Sequence, residues 1–254
     1  MIILYVCFSN LRKSSRGYFL MINICDFVTS ACFFLSSFHN RVLDSFVVRQ
    51  IEGFCIQFFY LSSFFWTACY SFHLYQLVVF HKEVPTRHYG NHLVAWVIPL
   101  ITVIWLFILE CTDLSAIGDC DRPWPWISNE LDHAFYYQLG FLYIPIALIV
   151  LFNMIIYICI GFKSKGEDLY CFILLRSFAY IAIAVFVIIW DVVDRVFMET
   201  TKHHAGFSQS LIALSVPSLG FLNVCVYSLN KYFFSSFKSS DSRKMLEESL
   251  PLTN

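Results

Sequence analysis

The chain has 254 residues and a formal net charge of -1, and 58% of it is hydrophobic, 19% aromatic and only 14% charged. Soluble domains carry about 25% charged residues, so too few groups remain here to wet a globular surface. The near-neutral charge, with no polybasic run and no glycine-rich phosphate loop, argues against nucleic acid as a partner and against nucleotide chemistry. A mean hydropathy of +0.65 and recurring apolar stretches near ~20 residues, each able to cross a hydrocarbon core of about 30 Å, define an all-α membrane protein whose solvent is the lipid bilayer.

In chain order, Met1–Phe8 is apolar but supplies only about 12 Å of helix, too short to span. Its charges follow the apolar run, unlike those of a signal peptide. Six complete spans come next, at roughly Tyr18–Phe38, Phe54–Phe80, His92–Leu109, Ala134–Phe162, Leu169–Phe197 and Phe207–Tyr227. If the loop carrying Arg12, Lys13 and Arg16 is cytoplasmic, successive loops alternate sides. The inside then collects Lys82, Arg87, Lys163, Lys165, Lys231, Lys238, Arg243 and Lys244, and the outside keeps Arg41, Arg49, Arg122, Arg195 and Lys202. That bias puts the C-terminus in the cytoplasm of a multi-pass protein. Residues 1–231 form the bundle, with the first helix cut short at 1–8. Residues 232–254 form a tail in which Phe233, Phe234 and Phe237 beside basic residues suit a short helix on the inner surface, or else a disordered tail.

Polar residues inside the spans carry the chemistry. Asp26 lies midway along its span, where an ionisable group costs roughly 2.5 kcal/mol or more, so it faces the bundle and needs a partner. Asn23 and Asn223 are the candidates. Asn153/Tyr157 and Asn223/Tyr227 repeat one i,i+4 spacing, which places each pair on one helix face. Pro99, Pro145 and Pro217 remove helix hydrogen bonds, and Pro145 and Pro217, the latter before Gly220, are hinge candidates. Arg176 snorkels toward the headgroups or joins an inner polar network. Asp191, Asp194 and Arg195 form a solvated helix end or rim a pocket. The ten cysteines divide by depth, and Cys55, Cys111 and Cys120 alone fall where an oxidising exterior acts. His203-His204 lacks a third metal ligand, and no nucleophile stands with a base, so neither an enzyme nor a cofactor is expected.

Five strings bring these residues into a known order. CIQFFYLSSFFWTACYSFHLYQ (Cys55–Gln76) resembles the third helix of the cyclic-AMP-receptor-like branch of the seven-helix G protein-coupled receptors, where a cysteine opens the helix. HLVAWVIPLI (His92–Ile101) is similar to its fourth helix and YIPIALIVLFNMIIY (Tyr143–Tyr157) to its fifth. PSLGFLNVCVYSLN (Pro217–Asn230) is similar to the seventh, shared with secretin- and adhesion-type receptors, and Asp26 falls where those place a second-helix Asp. The resemblance runs from about Leu11 to Lys231 and implies a seven-helix receptor bundle with its first helix largely missing, as in an incomplete gene model or a shortened splice form.

From the resemblance follow several expectations. An unidentified extracellular ligand biases the bundle between two packings, and a heterotrimeric G protein reads the change at the cytoplasmic face of the plasma membrane. Asp26, with Asn23, Asn153, Asn223 and Tyr227, becomes a polar switch; the plainer alternative is static interhelical bonding. A Cys55–Cys120 disulfide ties the third helix to the exterior loop. Cys111 competes as partner, because DRPWP separates Cys120 from Trp126-Ile127, whereas the family's cysteine stands directly before its Trp-Ile pair. The pocket is expected under the Cys111–Asp132 loop, lined by Trp66, Tyr136, Tyr143 and Trp190. Cyclic AMP would want exterior cations, and this exterior is acidic, which argues against it. The rival classes are a transporter or channel, for which no internal repeat is visible, and a truncated receptor-like protein that no longer signals.

Overall fold

A computed structural model describes residues 14–36, 46–80, 89–112, 117–118, 125–128 and 133–163, and individual helical positions between 182 and 225. Four long helices and one small hairpin make up the continuous part. Helix α1 is Ser14–Ser36 and α2 is Phe46–Phe80. Helix α3 runs Tyr89–Cys111 and α4 Ala134–Lys163. Strands β1 (Ile117–Gly118) and β2 (Trp126–Ile127) pair antiparallel between α3 and α4, with Ile117 opposite Ile127 and Gly118 opposite Trp126.

The boundaries expected for the first, third and fourth spans hold to within about a turn, while α2 begins at Phe46 rather than Phe54; the ends expected at Leu169 and Tyr227 lie outside the described residues. With 35 residues α2 is about 52 Å long, well beyond a hydrocarbon core of about 30 Å. Its first turns are held by the hairpin instead of by lipid: Gly53 is buried, and Ile117 packs so close that a Cβ on Gly53 would sit 2.5 Å from its Cγ2. Gly17–Ser36, Tyr89–Cys111 and Ala134–Lys163 are each long and apolar enough to cross a membrane. Helix α2 is more polar because it is the central helix. Ser62, Ser63, Ser71, His73 and Gln57 are all buried within the protein.

Several hydroxyls inside the helices are satisfied locally, as a lipid solvent favours, whereas those of Thr29 and Ser62 find no partner among the described residues. Ser30 and Ser36 donate to the carbonyls of Asp26 and Cys32, and Thr67 and Ser71 to those of Ser63 and Thr67, at 2.7 to 3.1 Å. Contacts between helices then set the register. Ser36 bonds Glu52, Ser63 bonds Asp26, and Tyr18 packs on Tyr70. The numbers of these partners add to a near-constant value, so α1 and α2 are antiparallel without slippage. Phe54 packs on Phe107 and Trp66 on Trp96, so α3 is antiparallel to α2 as well. Gln57 meets Phe141 and Ser71 meets Tyr157, which makes α4 parallel to α2. Helix α2 thus carries the other three around it.

The main core lies toward the hairpin, where Ile56, Leu61 and Phe64 of α2 meet Leu106, Ile127, Leu142 and Ile146. A second cluster at the opposite end gathers Tyr18, Ile22, Trp66, Cys69, Tyr70 and Ala95. The outer faces are apolar and exposed, through Ile101, Ile104 and Trp105 of α3 and Leu148, Leu151 and Ile155 of α4. In water such patches would aggregate; here they are the lipid-facing surface.

Two five-residue π turns interrupt the helices, at Leu93–Val97 in α3 and Leu139–Tyr143 in α4. Each ends two residues before a proline, Pro99 or Pro145. A proline ring collides with the carbonyl four residues back and offers no N–H to it, and a widened turn relieves the collision. The kinks expected at these prolines therefore take the form of π turns.

Candidate functional site

Three layers of polar contacts cross the bundle, all of them through α2. The middle layer is Asp26. It is 3% exposed, and Ser63 Oγ donates to its Oδ1 at 2.6 Å. Gly220 lies directly over the same side chain, where an added Cβ would stand 2.9 Å from Asp26 Cβ and 3.6 Å from Oδ2. Only a residue without a side chain lets that helix approach so closely. Three chain segments therefore converge on one carboxyl group. Asn23, expected to pair with it, instead donates to its own helix at the Phe19 carbonyl, 2.6 Å away. Asn223 lies outside the described residues. Ser63 was the residue to find; it stood in the LSSFFW string, one of two adjacent serines with nothing local to tell them apart.

The upper layer joins the hairpin to the helices. Ile117, Trp126 and Ile127 are buried, so the hairpin plugs this end of the bundle. Its β1 end is tied down by Glu110, whose Oε2 accepts from the Ile117 backbone N–H at 2.9 Å while its Oε1 accepts from Gln50. The centre is Gln57, fully buried on α2. Its Oε1 accepts from Trp126 Nε1 at 3.0 Å, and its Nε2 donates to the Phe141 carbonyl at 3.0 Å. In an unbroken α-helix the N–H of residue 145 would serve that carbonyl. Pro145 has none, and Gln57 supplies a donor from the neighbouring helix. One side chain thus links the plug, the central helix and the proline turn. A glutamine inside an apolar span was the available signal, and the sequence reading passed over it.

The lower layer lies at the other end of α2. Ser71 Oγ and Tyr157 Oη are 2.6 Å apart, and Asn91 Nδ2 donates to Tyr18 Oη at 2.6 Å. Asn153, one turn from Tyr157 on the same buried face, keeps an Oδ1 that has no hydrogen-bond partner among the described residues. Such a group inside a bundle favours any rearrangement that supplies a donor.

Of the four residues expected to line a pocket, Tyr143 and Trp190 pack against one core cluster and Trp66 belongs to the other. Trp66 is wholly buried at the end away from the hairpin, edge-on to Tyr18, His92 and Trp96. It was misplaced because position along a span does not reveal which end of the neighbouring helices it meets. Tyr136 is exposed and packs only on His133 and Phe135 among the described ring contacts. Tyr143 does reach the plug, edge-on to Trp126 at 6.1 Å, while Trp190 packs on Phe186 and Phe207. The Cys55–Cys120 disulfide also needs correction. Cys55 is a free thiol close to Cys32 of α1, and Cys111 is free and exposed. Cys120, Pro217, Tyr227, Arg176, Asp191, Asp194, Arg195 and His203-His204 lie outside the described residues, as do Met1–Phe8 and the 232–254 tail.

A mostly helical membrane protein with polar layers threaded through its bundle is the class these observations define. The family model described as slime mold cyclic AMP receptor matches residues 17–240, and the chain belongs to that family of receptors. Cyclic AMP receptor-like protein A of Dictyostelium discoideum is 24% identical over 203 residues, 76% of this chain and 51% of the relative. Cyclic AMP receptor-like protein C of the same organism is 28% identical over 207 residues, 75% of this chain and 53% of the relative. G-protein coupled receptor 157 of Homo sapiens is 27% identical over 134 residues, 51% of this chain and 39% of the relative. The chain spans about half the length of the curated relatives it matches.

Proposed function

We propose that this chain is a G protein-coupled receptor of the seven-helix class in the plasma membrane, with six complete spans and a first helix cut short at 1–8 in its bundle, residues 1–231, and with 232–254 as a cytoplasmic tail. An extracellular ligand shifts its helices between two packings that a heterotrimeric G protein distinguishes. The observation that carries this reading is the convergence of α1, α2 and the Gly220 helix on Asp26. A buried carboxyl with its partner on another helix is expensive in a membrane, and functional membrane proteins keep such groups where helices must exchange contacts. Family membership supports the same reading, and the basic loops support an inside C-terminus. The relation to secretin- and adhesion-type receptors belongs to the same proposal. Cyclic AMP, which the family's name suggests as ligand, is opposed by the acidic Cys111–Asp132 loop, since its phosphate would require cations.

The test is basal coupling of the full chain in cells, read by energy transfer between the receptor tail and each Gα class. Asp26→Asn and Ser63→Ala should change basal coupling in at least one class while surface amounts stay near wild type. Epitope tags within Lys163–Asp168 and at the tail should be reached only after permeabilisation, and a tag within Cys111–Asp132 without it. Wild type and variants that all fail to engage any Gα class while reaching the surface would refute the proposal.

A further inference from the structure

A groove of about 440 Å³ lies between α4 and the helical positions near residue 188. Its walls include Tyr143, Ile146, Val150 and Met154 on one side and Val185 and Val192 on the other. No charged residue lines it among the described residues, and its volume falls within the range of about 300–1,000 Å³ typical of ligand pockets. From Tyr143 to Met154 it is about 16 Å long and lies wholly inside the span Ala134–Lys163, so hydrocarbon is the medium it opens to. It is continuous with the lipid-facing residues Leu148, Leu151 and Ile155. Ala147, exposed at the centre of the α4 wall, leaves the hollow.

We propose that this groove is a binding site for one acyl chain of a bilayer phospholipid. The occupant is set by the shape and the chemistry together: an elongated slot, apolar in its described lining, within the span Ala134–Lys163 and beside the lipid-facing residues of α4. Tyr143 gives the site a route to the rest of the protein. Its ring borders the groove and meets Trp126 edge-on, and Trp126 donates to Gln57. A chain in the slot therefore bears on the plug and on α2. This inference rests on the groove alone and stands whether or not the chain couples to a G protein.

The test uses the purified full chain in nanodiscs containing phosphatidylcholine with a photoactivatable group midway along one acyl chain. After illumination, peptide mapping should find labelling at Ala147, Val150 and Val185 above that on the open lipid-facing face at Ile101, Ile104 and Trp105. Ala147→Trp should reduce groove labelling to the level of that face. Leu148→Trp, beside the groove but outside its walls, should leave it unchanged. Equal labelling of the two faces in the wild type would overturn the proposal, as would groove labelling that Ala147→Trp does not lower. Exclusion of the acyl probe by a photoactivatable sterol at the same residues would overturn the choice of occupant.

Discussion

Replacing Gln57 by Leu removes an acceptor from Trp126 Nε1 and a donor from the Phe141 carbonyl, two bonds of 3.0 Å each. Both bonds are lost beside Ile56, Leu142 and Ile146, which are buried apolar residues. An unsatisfied buried polar group costs about 1–3 kcal/mol, so the loss should total about 2–6 kcal/mol. Trp126→Phe strands only the Gln57 Oε1 and should cost less from this source. The double variant should fall short of the sum of the two, because one broken bond is counted in both single variants. Thermal unfolding of the purified chain in detergent measures this, read as dye labelling of the buried free thiols Cys25 and Cys69. Gln57→Leu within about 0.5 kcal/mol of wild type, the range of an ordinary surface change, would refute the clamp.

Other consequences follow from the same contacts. Gly53→Ala places a Cβ 2.5 Å from Ile117 Cγ2 and should destabilise by about 1–3 kcal/mol through overpacking. Gly140→Ala meets nothing within 4 Å and should be neutral or stabilising by up to about 1 kcal/mol; equal effects of the two in the unfolding assay would deny the close seat of the hairpin. Pro145→Ala restores an N–H opposite the Phe141 carbonyl and should convert the Leu139–Tyr143 turn toward a regular helix, seen as slower amide exchange through residues 141–146. Unchanged exchange there would mean that the proline does not cause the turn. Mild oxidation with copper phenanthroline should link Cys55 to Cys32, identified by mass spectrometry of non-reduced peptides, and a bridge from Cys55 to Cys111 or Cys120 would contradict the α1–α2 register.

Hydropathy and its interruptions, read along the chain, determined the membrane solvent, the positions of α1, α3 and α4 to within a turn, and the need of Asp26 for a partner. These are local properties: each span must be long and apolar enough by itself, and an ionisable group at mid-depth is costly whatever surrounds it. The proline positions were equally legible, but whether a proline bends, breaks or widens its helix depends on where the displaced carbonyl finds a donor. Tertiary structure alone decided that Ser63, and not Asn23, meets Asp26, since adjacent serines differ only in the rotation of α2 against α1. It decided too that Trp126 is buried against Gln57, in a loop whose sequence gives no period to read, and that Trp66 belongs to the end away from the hairpin. Partners between helices are set by rotation and register, and those are properties of the packed bundle that no single span contains.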